Sequence, residues 1–219
     1  MKRNLIFILI IVILVVVAGT FIFKNLTKME VAQKEEITMP KNLEGKKVAM
    51  IIAFRDFRDA EYFIPKEILE KAGAKITTVS TKMGTAIGAD GEDTQIDLLV
   101  ENLNPADFDA IVFIGGPGAL DYLDNENSYR VARETVEKDK ILGSICISPV
   151  ILAKAGVLSG KRATVWSSPL DRSPVKILKE NGAIFEDKNV VVDGKIVTAN
   201  GPEAAQEFGQ KLIEGLTNI

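Results

Sequence analysis

Hydrophobic positions follow three different patterns along the chain. From Leu5 to Phe23 they form an almost unbroken apolar run with no polar face, preceded by Met1-Lys2-Arg3-Asn4. At 1.5 Å per residue a helix of about 19 residues covers roughly 28 Å, close to the hydrocarbon thickness of a bilayer. Residues 1–23 are therefore expected to form an uncleaved N-terminal transmembrane anchor, because a buried core helix would not be apolar all round over that length. The alternative is a cleaved secretory signal. Val16-Val17-Ala18 offers small residues before Gly19, but Phe21-Ile22-Phe23 carries the apolar run past that site, and no lipobox cysteine is present. Lys2 and Arg3 on one side nearly balance Lys24, Lys28 and Lys34 on the other. Orientation thus rests on the export reading. The membrane localisation expected is single-pass with the domain extracytoplasmic, and the alternatives are a secreted domain after cleavage or a cytoplasmic-facing one. Residues 24–44 are polar, carry mixed charge and include Pro40, which suits a juxtamembrane spacer.

From residue 45 to 219 short apolar runs alternate with helical periodicity. Buried strands are predicted over 47–53, 75–80, 110–114, 141–145 and 162–166, with 85–99 irregular or short β. Helices are predicted over 60–72, closed by Gly73, and over 127–138, 148–155, 174–181 and 203–216. Val190 to Val197 reads as a hairpin with an Asp193-Gly194 turn. Strands separated by helices of about a dozen residues predict an α/β domain with a mostly parallel central sheet and helices on both faces. Ligands of such sheets bind beyond the carboxyl ends of the strands. Three loops leave those ends here: Phe54–Asp59 leading to Glu61, Gly115–Gly118, and the turn at Cys146.

Composition narrows the chemistry. With 47% hydrophobic and 26% charged residues the chain is ordinary for a globular domain, and a net charge of −3 without a basic cluster argues against nucleic-acid binding. The chain has no histidine and one cysteine, so it can form no internal disulfide and no zinc site of the usual Cys/His kind. Neither a cofactor nor a metal is expected.

Cys146 ends a buried run and is flanked by Ser144 and Ser148, small residues suited to a sharp strand-to-helix turn like a nucleophile elbow. A thiol there would face the amino end of a helix starting near Ile147, which favours thiolate. The plainer alternative is a buried structural cysteine. Glu61, in Asp59-Ala60-Glu61, reads from the residues alone as a solvated first-turn acid, with Asp59 as N-cap. Gly115-Gly116-Pro117-Gly118 is either a tight turn or a backbone cradle for an oxyanion, and it is not a P-loop. Asn200-Gly201-Pro202 reads as a turn opening the last helix.

Order and spacing of these segments carry a resemblance. Asp59-Ala60-Glu61, Ala110-Ile111-Val112-Phe113-Ile114-Gly115-Gly116 and Ser144-Ile145-Cys146-Ile147-Ser148-Pro149 resemble the ThiJ/PfpI (DJ-one) family of the class I glutamine amidotransferase-like superfamily. So do Val190 to Gly194 and Asn200-Gly201-Pro202, and the match spans the domain. The resemblance implies a flavodoxin-like three-layer sandwich, Cys146 as the reactive cysteine and Glu61 as the carboxyl against it. It further implies Gly116 and Ile147 as oxyanion-binding N–H donors, a pocket including Gly115, Ser148 and Asn200, and a homodimer.

The departures redirect the chemistry. Peptidase-like members carry a histidine directly after the cysteine, where this chain has Ile147. The family's glycine before the proline is Ser148, and an arginine often found before the later Gly-Pro is Asn200. Cys-His peptidase and amidotransferase reactions need an imidazole to move protons and are disfavoured. A carboxylate beside a thiolate is a like-charge pair, so one of the two holds a proton; Glu61 is expected to be protonated and to donate to the Cys146 sulfur. The expected partner is a small electrophile or oxidant. Three outcomes remain open: glyoxalase-like or hydrolase-like turnover of small carbonyls, redox sensing at Cys146, and a chaperone-like binding module without turnover.

Overall fold

The computed structural model describes residues 43–218. The predicted anchor over 1–23 and nearly all of the spacer over 24–44 lie outside the described residues. Among the described residues no helix is long and apolar enough to cross a membrane. Leu43, assigned to the spacer from the sequence, is a core residue. It is fully buried, and its N–H donates to the Ala72 carbonyl at 2.7 Å.

Among the described residues, twelve strands appear in chain order: β1 (Lys47–Ile51), β2 (Arg55–Phe57), β3 (Lys75–Ser80), β4 (Gly84–Gly88), β5 (Asp93–Ile96), β6 (Leu98–Leu99), β7 (Ala110–Phe113), β8 (Ile141–Ile145), β9 (Arg162–Ala163), β10 (Ile184–Phe185), β11 (Val190–Asp193) and β12 (Ile196–Ala199). Six α-helices accompany them: α1 (Asp59–Lys71), α2 (Ala119–Leu123), α3 (Glu126–Glu137), α4 (Pro149–Lys154), α5 (Ser173–Glu180) and α6 (Ala205–Thr217). Seven strands form the central sheet in the order β11-β12-β8-β7-β1-β3-β6. All neighbours are parallel except the β11–β12 hairpin at one edge.

Strand alternation splits the core into two layers, as a sheet buried on both faces requires. Val48, Met50 and Val112 face a cluster with Tyr62 and Leu69 of α1 and Phe208 and Leu212 of α6. Ala49, Ile51, Ile111 and Phe113 face the other cluster, with Val131 of α3, Ile151 and Leu152 of α4 and Leu178 of α5. The result is a three-layer sandwich. On the first face α1 carries Pro65 inside it, so the carbonyl of Glu61 loses its helical N–H partner. The helix survives because its surroundings are packed, with Pro65 and Ile68 lying against Gly209 of α6.

Two predicted elements differ. The run 162–166 does not join the central sheet; only β9 forms a ladder, with β10. Beyond it the chain is tied sideways, with Thr164 N–H donating to Thr198 Oγ1 at 2.9 Å and Trp166 N–H to the Cys146 carbonyl at 2.8 Å. The β11–β12 loop consists of Gly194 and Lys195, because Asp193 pairs with Ile196 in the ladder. The turn is thus shifted one residue from the predicted Asp-Gly, with Gly194 at φ +61°. Asp193 is drawn into the ladder end, where it accepts from the Arg162 N–H at 3.0 Å.

The chain runs from β1 outward to β3 and then returns to place β7 on β1's other side. That reversal opens a crevice at the carboxyl ends of β1 and β7, beside the end of β8.

Candidate active site

Cys146 occupies the first position after β8 and has φ +64°, a left-handed conformation that a non-glycine residue adopts at a cost. Three hydrogen bonds hold it there. Its N–H donates to the Ala199 carbonyl at 2.9 Å, its carbonyl accepts from Trp166, and Ser148 N–H closes back on the Ile145 carbonyl at 3.2 Å. Ser148 is fully buried and its hydroxyl donates to the Ile114 carbonyl at 2.8 Å, which ties the elbow to the end of β7. The helix that follows is only six residues long and starts at Pro149, which has no N–H. The N–H groups directed at the sulfur are therefore those of Gly116 and Ile147, not a helix first turn, and both favour the thiolate.

The loop after β7 is laced to the loop after β2. Arg58 N–H donates to the Gly115 carbonyl at 3.0 Å and Gly118 N–H to the Asp56 carbonyl at 3.1 Å. This approach demands glycine. A Cβ on Gly116, which has φ +119°, would lie 2.4 Å from Arg58 N and 2.5 Å from the Asp56 carbonyl oxygen. A Cβ on Gly115 would meet Cys146 Cβ at 2.5 Å and Glu61 Oε2 at 2.7 Å. The missing methyl of Gly115 is thus the space in which the cysteine and the glutamate come together.

Glu61 is fully buried, which removes the solvated first-turn reading. Neither of its carboxyl oxygens has a partner of full hydrogen-bond geometry. The Cys146 thiol and the Gly115 N–H act on it at a less favourable approach. Burial accordingly prevails over the downward pull of Cys146, Arg58 and Gly115, and pushes the carboxyl from 4.5 up to about 7. The Cys146 thiol is also pushed up, first by burial and then by the charge and hydrogen bonding of Glu61, against the pull of the Gly116 and Ile147 N–H groups. With the proton on Glu61 the repulsion disappears while those N–H groups stay at the sulfur. The pair therefore carries at most one negative charge through the neutral range.

Asp59 is not the N-cap of α1; Arg58 occupies that position without a side-chain cap. The Asp59 carboxylate reaches away from its own helix and accepts from the N–H groups of Asp90 and Glu92, both at 2.8 Å.

The sulfur opens onto a cleft of about 430 Å³ lined by Arg58, Gly116, Pro117, Leu120, Asp121, Cys146, Ile147 and Trp166. Three of the residues expected in the pocket lie off the cleft. Gly115 sits behind the pair, Ser148 is consumed in its bond to Ile114, and Asn200 donates to Asn189 Oδ1 at 3.3 Å across the open end of the β11–β12 hairpin. Reading the sequence overlooked Arg58, Leu120, Asp121 and Trp166. For Trp166 there was a signal, since it is the chain's sole tryptophan, on a run directly after an apolar segment. Among the described residues no group of three or more metal-ligating side chains is assembled.

The chain is similar to known proteins in sequence and in fold. A protein of Methanocaldococcus jannaschii described as uncharacterized is 40% identical over 176 residues, 80% of this chain and 84% of that protein. A deglycase of Pyrococcus abyssi is 33% identical over 153 residues, 70% of this chain and 89% of its own. Among solved structures, a ThiJ/PfpI domain protein from Brachyspira murdochii superposes with a TM-score of 0.75 at 34% identity, covering 80% of this chain and 99% of that one. Drosophila melanogaster DJ-1beta superposes with a TM-score of 0.68 at 27% identity, covering 80% and 91%. Residues 46–215 match the DJ-1/PfpI family throughout, and the chain belongs to that family.

Proposed function

We propose that the domain is a cysteine-dependent enzyme acting on small reactive carbonyl compounds, glyoxalase-like toward 2-oxoaldehydes such as methylglyoxal. The observation that carries the reading is Glu61: a fully buried carboxyl with unpartnered oxygens, raised to about 7, against the thiol of Cys146. Such a group gives and takes a proton near neutral pH, which is what an acid–base catalyst needs. The similarity to proteins named deglycases supports the same class of carbonyl chemistry.

The steps balance without a cofactor. The Cys146 sulfur adds to the aldehyde carbon, forming a C–S bond, and the aldehyde oxygen takes a proton from Glu61. The N–H groups of Gly116 and Ile147 are the available donors for the oxyanion that develops in this step. Glu61, now ionised, removes the proton from the hemithioacetal carbon and returns it to the adjacent carbon through an enediolate, while the hydroxyl proton passes from the former aldehyde oxygen to the neighbouring oxygen, which leaves a thioester of the 2-hydroxy acid. Water cleaves the thioester, releasing a 2-hydroxy acid and restoring the thiol. With no histidine in the chain, peptide-bond hydrolysis has no imidazole to protonate the leaving amine.

Incubating the protein with methylglyoxal and following lactate is the test. Turnover is expected, and Cys146→Ala should abolish it while casein stays intact. Lactate formation no faster than with Cys146→Ala would overturn the enzyme reading. A second reading draws on the same two N–H groups at the sulfur, which also suit a sulfenate or sulfinate formed by peroxide. The single cysteine leaves reversal to an external thiol. Intact mass after mild peroxide should then show oxygen on Cys146, and an unchanged mass would sink this second reading.

A further inference from the structure

A group of unmatched charges stands apart from the Cys146 cleft, where the loops after β1 and β3 meet α2. Lys82 follows β3, and its ammonium lies 5.9 Å from the centre of the Phe54 ring and 5.8 Å from that of the Tyr122 ring. The Arg55 guanidinium lies 5.7 Å from the same Phe54 ring. Phe54 and Tyr122 are half-buried against the core, so both cations are gathered on an apolar floor that the fold holds in place. Arg55 reaches this position because β2 is irregular. Arg55 and Phe57 would share one face of a regular strand, but the register shifts between them and Asp56 has φ +58°, which buries Phe57 and turns Arg55 outward. Among the described residues neither cationic side chain has a hydrogen bond or an ion pair; Asp56 and Asp121, next to Arg55 and Tyr122 in the chain, pair with neither. Two more donors are unused. The Tyr122 hydroxyl has no partner among the described residues, and the Thr81 hydroxyl, beside Lys82 in the chain, is buried without one. An aromatic face holds a cation without neutralising it, so two positive charges on one ring repel each other until an anion bridges them.

We propose that Arg55 and Lys82 form a binding site for a phosphate group, with Tyr122 and Thr81 as further donors. Charge decides the class. A carboxylate would leave one cation unmatched, whereas a phosphate monoester carries about two negative charges at neutral pH and presents three acceptor oxygens. The guanidinium offers a fork to two of those oxygens and the ammonium a point charge to the third. None of these residues lines the Cys146 cleft, and the site does not depend on the carbonyl reaction. Free phosphate, a small phosphorylated metabolite and a lipid head group share the chemistry that the site recognises.

Protection of Lys82 from acetylation tests the site without any need for turnover. The full chain is treated with the N-hydroxysuccinimide ester of acetic acid at fixed pH and ionic strength. Modification of Lys82 is read by peptide mass spectrometry against Lys75, which is exposed and unpaired among the described residues. Three forms of the group are compared: inorganic phosphate, glycerol 3-phosphate, and vesicles of phosphatidic acid set against vesicles of phosphatidylcholine. At about ten times its half-protecting concentration, a bound form should slow Lys82 by about tenfold and leave Lys75 unchanged. Acetate at the same ionic strength should protect neither lysine. Arg55→Gln should raise the half-protecting concentration by about tenfold, and Tyr122→Phe, which keeps the ring, by about threefold. The form that protects at the lowest phosphate concentration identifies the source, and protection by phosphatidic acid vesicles alone assigns the site to a lipid head group. Failure of all three forms, equal protection by acetate, or protection that Arg55→Gln leaves unchanged overturns the proposal.

Discussion

Asp59 and Glu61 lie two residues apart in the first turn of one helix, and both are buried, yet they do opposite things. Asp59 is 5% exposed and its two oxygens each accept a backbone N–H from the tip of the β4–β5 hairpin. Glu61 is fully buried and its two oxygens accept nothing of full geometry. The first carboxylate is satisfied and acts as a latch, clasping a segment about thirty residues away. The second is left unsatisfied against a thiol, and burial raises it into the range where it can trade protons. Burial alone therefore does not make a catalytic acid; burial without donors does. The latch also allows the contrast, since it fixes the start of α1 and so the position from which Glu61 projects.

The largest effects should separate the two acids by kind. Glu61→Gln keeps the shape but cannot carry a proton, and it should lower methylglyoxal turnover by about 10²–10⁴-fold, the usual contribution of general acid–base catalysis. A loss smaller than about tenfold would reduce Glu61 to a packing residue. Asp59→Ala should act on the fold instead. It strands two N–H groups beside the removed carboxylate, each bond to a charged group contributing about 1.5–3 kcal/mol, so urea unfolding should show a loss of about 3–6 kcal/mol. If the midpoint hardly moves, the hairpin tip is held by something other than Asp59.

The same contrast marks what was legible in the sequence. Cys146 could be placed because a continuous apolar strand stops there between two small residues, and both are local signals. The parallel sheet was readable for the same reason, from short apolar runs separated by helical periodicity. Glu61 was not readable from its own surroundings. What buries it arrives from Gly115 and Cys146, far along the chain, and only the resemblance to a family pointed to it. Asp59 was misplaced as a cap because an acid at a helix start ordinarily caps its own helix, whereas this one is claimed by Asp90 and Glu92. Arg162–Trp166 has the composition of a strand, but its N–H groups beyond β9 go to Thr198 and Cys146, so it delivers Trp166 to the cleft instead of extending the sheet.

A subtler effect is pH dependence. The fold raises the Glu61 carboxyl from 4.5 to about 7, so the folded protein holds this proton more tightly than the unfolded chain does. Below about 4.5 both states are protonated and nothing is lost. As pH rises from there to about 7 the unfolded chain releases the proton while the folded one keeps it, so the stability associated with the neutral acid declines by about 3 kcal/mol and levels off above about 7. Glu61→Gln should remove that slope. Urea midpoints of both proteins at pH 5 and pH 8 check it, and parallel values would mean that Glu61 titrates normally.

The smallest expected effect concerns a charge pair that bridges the two regions. Arg58 pairs with Asp90, whose N–H is also one of the latch donors, and the two side chains are 32% and 55% exposed. Solvent screens such a pair, which should contribute less than about 1 kcal/mol. Asp90→Asn leaves the backbone N–H in place for Asp59 and removes only the ion pair. The urea midpoint should therefore change little, and by less still in high salt, where exposed charges are screened further. A loss as large as that of Asp59→Ala would move the latch from the buried carboxylate to the surface pair, and with it the reason why Asp59 and Glu61 differ.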